Sequence, residues 1–158
     1  MKKFATEIKW GVIFTIATLL WTVLEKILGW HGASIHMHAI YTNLFAFVAI
    51  TIFVFALLDK RKKDFGGKIT WFQGFLSGVI ISLIVAVLAP LSQYITHEFI
   101  SPDYFKNAIE YAVENKKMSQ KNAEIYFSFN SYLIQSSFGA LGMGGVTSAI
   151  ISLFIRKK

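Results

Sequence analysis

Imidazole is the side chain most often recruited to hold transition metals and to move protons near neutral pH, and three of the four histidines, His31, His36 and His38, share one short stretch. Met37 lies between two of them and offers a soft thioether that suits copper, while His97 is the fourth histidine. A metal site drawn from His36, His38 and His97 is therefore a candidate. The spacing weighs against it. His-x-His sets two rings about 200° apart on a helix, so chelation by that pair needs extended or turn geometry. The competing reading, and the one the spacing favours, is interfacial histidines hydrogen-bonded to lipid headgroups or water.

Glu25 is the other group with chemical potential, because it is the deepest charge in any apolar run. As an interfacial residue it would share its turn with Lys26; as a buried carboxylate it would mark an ion path. The interfacial role is the expectation. Gly139, Gly142, Gly144 and Gly145 cluster near the middle of the last apolar run, where an unwound helix can free carbonyls to bind an ion or substrate. Asn43, Gln93, Asn130 and Gln135 would supply polar contacts to such a site. Close helix packing explains the same glycines without breaking hydrogen bonds, and it is preferred.

Other chemistry is excluded more firmly. Cysteine is absent, which removes disulfides, thiolate metal sites and thiol nucleophiles. There is no Gly-x-x-x-x-Gly-Lys-Ser/Thr loop and no His-Glu-x-x-His pair. Ser136 and Ser137 lie deep in the last run, but no histidine shares their depth to form a Ser-His pair. Stretches 10–24, 40–58, 70–95 and 127–155 hold no Asp, Glu, Lys, Arg or His, so proton relays and intramembrane metalloproteolysis are not expected. A non-enzymatic protein without a cofactor is the result.

The elements that must position these residues follow from composition. The chain is 54% hydrophobic and only 16% charged, with a mean hydropathy of +0.52, too little polar surface for an ordinary soluble domain. Apolar runs over about 10–28, 40–58, 70–95 and 131–155 are long enough to cross a bilayer of about 30 Å as helices. An all-α, four-span membrane protein forming one domain over 1–158 is the prediction. Lys2-Lys3 before an apolar stretch also opens a secretory signal, but the run is long and residues 25–30 offer no Ala-x-Ala-like cleavage site, so a retained span is expected.

Orientation comes from the basic residues. Lys60, Arg61, Lys62, Lys63 and Lys68, between the second and third spans, fall on one side with Lys2, Lys3, Lys9, Arg156, Lys157 and Lys158. Lys26, Lys106, Lys116, Lys117 and Lys121 fall on the other. The richer side is the cytoplasmic one, which puts both termini inside and the histidines outside. Basic residues gathered at span ends rather than in a surface stripe argue against nucleic acid, despite a net charge of +7.

Two patterns point to contacts. Gly74, Gly78, Ser82, Ala86 and Pro90 recur every four residues in the third span, as do Ser136, Ala140, Gly144, Ser148 and Ser152 in the fourth. Small side chains on one helix face let backbones approach closely, so these consecutive antiparallel spans should pack together. Between them, the polar segment 96–126 should form an extracytoplasmic cap. Ser101-Pro102-Asp103 reads as an N-cap, first-turn proline and acid, opening a helix to about Asn115. Its apolar face, Tyr104, Phe105, Ile109 and Val113, must cover span ends, the membrane surface or a partner. Ser119 reads as a second cap whose helix runs into the fourth span. Besides membrane lipid, the anticipated partner is a second copy or another membrane protein; the alternative function is a small transporter or lipid-handling protein using Gly142 to Gly145.

The run His38-Ala39-Ile40-Tyr41-Thr42-Asn43-Leu44-Phe45, the run Leu57-Leu58-Asp59-Lys60-Arg61-Lys62, Ile100-Ser101-Pro102-Asp103-Tyr104-Phe105 and Ala108-Ile109-Glu110-Tyr111-Ala112 together resemble the bacterial family known as domain of unknown function 4199. The resemblance covers nearly the whole chain. It implies a small four-span protein of the bacterial inner membrane, mainly of Bacteroidota, and it implies no reaction, ligand or functional residue.

Overall fold

Helix formation here is dictated by the bilayer as solvent, which leaves no unpaired backbone group tolerable in an apolar run. The computed structural model describes residues 4–157; Lys2, Lys3 and Lys158, used above to assign orientation, lie outside them. Helices α1 (Ala5–Ile27), α2 (Ile35–Tyr41), α3 (Phe45–Asp64), α4 (Trp71–Ile95), α5 (Tyr104–Glu114), α6 (Gln120–Tyr126) and α7 (Phe129–Ile155) follow in order. A 3-10 turn, Thr42–Leu44, joins α2 to α3, and a π-helical turn, Thr96–Ile100, extends α4. Four stretches, Ala5–Ile27, Ile35–Asp64, Trp71–Ile100 and Phe129–Ile155, are long and apolar enough to cross a membrane. Each predicted span lies largely within one of them; the structure adds a turn or more to the first three and two residues to the fourth. Among the described residues the sole β-pairing is a bridge between Ile69 and Lys157.

The molecule is built outside-in compared with a soluble protein. Its large exposed side chains are apolar, Phe154 (83%), Phe47 (72%) and Val87 (70%) among them, while Ser77, Ser82, Ser148 and Ser152 are buried. In lipid no hydrophobic drive separates inside from outside, so small residues that permit close approach take the interior. The closest pairing is α4 with α7. A methyl added to Gly74 would meet Ser152, one on Gly78 would meet Ser148, and one on Gly144 would meet Ser82. Glycine on one helix thus faces serine on the other, in antiparallel register. Trp71 Nε1 also donates to the Ala149 carbonyl at 3.0 Å.

Local sequence sets the helix ends. Thr70 and Gln73 form a reciprocal capping box at the start of α4. Gly66 and Gly67, at φ 60° and 90°, make the left-handed turn that brings the chain from α3 to α4. Pro90 does not end α4, which continues to Ile95. Ser119 caps α6 through Asn122 N, but that helix does not run on into the fourth span: it stops at Tyr126, and Ser128 caps α7 anew by accepting from Ser131 N at 3.3 Å. Ser101 is not the cap of α5 either. Its carbonyl receives Tyr104 N, while its hydroxyl is taken by a buried histidine described below.

The basic loop is a clamp. Lys60 is buried and bonds Glu7 at 2.8 Å and Asp64 at 2.8 Å; Ser77 Oγ donates to Glu7 at 2.9 Å and Thr6 Oγ1 to Asp64 at 3.0 Å. Arg61 donates to the Ile155 carbonyl at 2.9 Å, capping α7, and Asp59 accepts from Lys9 and Trp10. One end of α1, α3, α4 and α7 is thereby tied together by ion pairs and hydrogen bonds.

Candidate functional site

At the opposite end of the bundle, α1 turns Glu25 inward. Lys26, the next residue and about 100° further round the helix, is exposed, so the two do not share a surface turn. The interfacial reading of Glu25 is corrected: it is 4% exposed. Trp21, one turn earlier, donates Nε1 to Glu25 Oε1 at 3.0 Å. After Leu28 the chain reverses at Gly29, whose φ of 77° is left-handed, with Trp30 N on the Glu25 carbonyl at 2.9 Å. That reversal returns His31 to the carboxylate it has just passed.

Four further segments complete the cluster. The carbonyl of His31 accepts from Asn107 Nδ2 of α5 at 2.8 Å, and its Nδ1 pairs with Ser101 Oγ at 2.7 Å. Its Nε2 faces Glu25 Oε2 at 3.2 Å. His38, on α2, aims Nε2 at the same oxygen from 3.7 Å, with Nδ1 3.5 Å from the Tyr104 hydroxyl. Tyr104 then meets the Tyr132 hydroxyl of α7 at 2.8 Å. The rings of His31, His38 and Tyr104 lie with centroids 4.9 to 5.2 Å apart. Tyr104 is 5% exposed, and burial pushes its hydroxyl up to about 12, with the nearby Glu25 charge adding to the rise.

His97 sits beside this group on the π-helical turn. Its ring stacks on Phe105 at 3.9 Å, Nε2 pairs with Gln93 Oε1 at 3.1 Å, and Nδ1 is buried with no hydrogen-bond partner among the described residues. The wide turn brings Ser101 N to the Thr96 carbonyl at 2.7 Å and so hands Ser101 to His31.

Gln93 also lines a cavity of about 350 Å³ between α1, α3, α4 and α7. Its wall is mainly apolar, with Phe14, Phe53, Val85 and Ala140, and it carries Thr15, Thr18, Asn43, Ser92 and Thr147 as polar members. Thr15 and Thr18 donate their hydroxyl protons to carbonyls one turn back, which leaves oxygen lone pairs for a guest's donor. Ile50 and Met143 line the cavity and are 46% and 69% exposed, so it opens between α3 and α7 near mid-span, on the apolar surface.

Of the predicted metal set, His38 enters the cluster, His97 packs on its flank and His36 is exposed on the other side of α2. The correction follows from helix geometry: α2 is helical from Ile35, so His36 and His38 diverge. Of the cap residues, Tyr104 is buried and Phe105, Ile109 and Val113 are half-buried, the face lying over the span ends. Of the small-residue rows, Gly74, Gly78, Ser82, Gly144 and Ser148 form the α4–α7 seam, Ser136 and Ala140 line the cavity, and Ala86 is half-buried between. Helix α7 is unbroken through Gly142 to Gly145, so no unwound segment exists there, and added methyls on Gly142 and Gly145 would meet nothing within 4 Å. Glu7 was missed, and His31, noted among the clustered histidines, was left out of the metal set. For His31 the available signal was the glycine at 29, a C-terminal helix stop that folds the next residues back.

Fold and site together define a four-helix protein of membrane-spanning type, with a carboxylate–histidine cluster under a helical cap and a side-opening cavity beneath. The chain belongs to the family described as Protein of unknown function (DUF4199), whose model matches residues 9–157. No curated protein and no solved structure matches it significantly.

Proposed function

We propose that this is a non-enzymatic protein of the bacterial inner membrane that accommodates a small amphiphile or lipid chain between its helices. The basic loop and both termini face the cytoplasm, and the histidine-bearing cap faces outward, because basic residues in short flanks resist translocation. The observation that carries the reading is the cavity of about 350 Å³, within the range of about 300–1,000 Å³ typical of small-molecule sites. Its mouth at Ile50 and Met143 meets hydrocarbon rather than water, and its apolar wall with a few acceptors suits a molecule with a chain and a donor. Association with a second copy or another membrane protein is less favoured, since the small-residue seam and the apolar face of α5 are both engaged within the chain.

A photoactivatable diazirine fatty acid in proteoliposomes tests this. Crosslinks should concentrate at Ala49 and Thr147, which line the cavity, and disappear there in Ala140→Phe, which fills it. Labelling spread evenly over Phe47, Phe138 and Phe154, unchanged in that variant, would mean bulk lipid only and end the proposal.

A further inference from the structure

We infer that Glu25, His31 and His38 form a binding site for a divalent transition-metal ion of the zinc class. Glu25 Oε2, His31 Nε2 and His38 Nε2 converge, and the candidate ligand atoms of the three residues all lie within 4.8 Å of one another. Zinc bonds of about 2.0–2.1 Å in tetrahedral geometry set neighbouring donors about 3.3–3.5 Å apart. The carboxylate oxygen lies 3.2 Å from one imidazole and 3.7 Å from the other, on either side of that edge length. At 3.7 Å the His38 contact is longer than a hydrogen bond, a spacing that an ion bridging the two atoms would fill.

The outer atoms are held as metal sites hold them. His31 Nδ1 has Ser101 Oγ at 2.7 Å, Glu25 Oε1 has Trp21 Nε1 at 3.0 Å, and His38 Nδ1 has the Tyr104 hydroxyl at 3.5 Å. Partners on the outer ring nitrogens fix imidazole orientation and tautomer, and the Trp21 N–H pins the other carboxylate oxygen. Among the described residues the ion-pair partners of Glu25 are these two histidines, with no lysine or arginine. Two nitrogens and one oxygen suit zinc and leave a fourth position for water. This site does not depend on the cavity having an occupant.

The experiment uses the full chain in mild detergent without a polyhistidine tag, stripped by chelator and titrated with Zn²⁺ against a chromophoric chelator. One equivalent should bind to wild type and to His36→Ala. Glu25→Gln and His38→Gln should each weaken it by more than about 100-fold, and Ser101→Ala by about 10-fold, as for a lost outer partner. Wild type that takes up no Zn²⁺, or Glu25→Gln that binds as wild type does, overturns the inference. Should the ligand variants fail to fold, wild type loaded with Co²⁺ decides: intense visible absorption supports a four-coordinate site inside the protein, and only the weak spectrum of the hydrated ion refutes it.

Discussion

Helix α1 buries one carboxylate at each end of the bundle, Glu7 at 1% exposure and Glu25 at 4%, and the two are treated differently. Glu7 is matched by Lys60 and a serine hydroxyl, a permanent cation and a neutral donor. Glu25 is matched by two imidazoles, which can also bind a metal ion, and by an indole N–H. An ammonium neutralises a carboxylate and leaves it nothing further to do. Imidazoles hold it in place and keep their chemistry. The loop end is therefore a structural lock and the cap end the place where function should be sought.

The sharpest way to break that contrast is to remove each partner. Lys60→Met leaves Glu7 buried without its cation and should cost about 3 kcal/mol, the low end for a broken buried pair because water is close at the end of the bundle. Thermal unfolding in detergent reads the loss. A smaller step tests the seam between the two ends: Gly78→Ala pushes a methyl into the Ser148 side chain and should cost about 1–3 kcal/mol, whereas Gly142→Ala, with open space around it, should change stability by less than about 0.5 kcal/mol. Equal effects at the two glycines would mean that α4 and α7 are not in the register described.

Glu25→Gln comes next. It keeps the oxygen that Trp21 bonds and supplies an amide that can donate to an imidazole, so in metal-free protein it should cost only about 1 kcal/mol. A loss as large as that of Lys60→Met would erase the difference between the two ends and mark Glu25 as a second lock.

How much of this was legible in the residues differs by level. The four spans could be read because a bilayer imposes length and apolarity on each segment separately, and the α4–α7 seam because both of its rows repeat every four residues. The cluster could not. It joins α1, a loop, α2, a π-helical turn and α5, and only the left-handed Gly29 and the wide turn at Thr96–Ile100 bring His31 and Ser101 within reach. Glu25 was read outward from its sequence neighbour Lys26, although neighbours on a helix point in different directions. Lys60 was used only to set orientation, and nothing in the basic run distinguishes the one position that faces the bundle. The cavity is a space where side chains are small or turned away, and no residue announces a space.

The smallest effect probes whether the cap end is dry, as the contrast requires. Tyr104 has its hydroxyl pushed up to about 12 from the ordinary 10.0, chiefly by burial. Folding therefore favours the protonated form: this contribution is present below pH 10 and lost as pH rises from 10 towards 12. Wild type should lose melting temperature more steeply over that window than Tyr104→Phe, which has no proton to release, while lysines titrating in both proteins cancel in the comparison. Parallel slopes would mean that water reaches Tyr104 beneath the cap, and a wet cap could not hold Glu25 in the low-dielectric setting that sets it apart from an ordinary surface carboxylate.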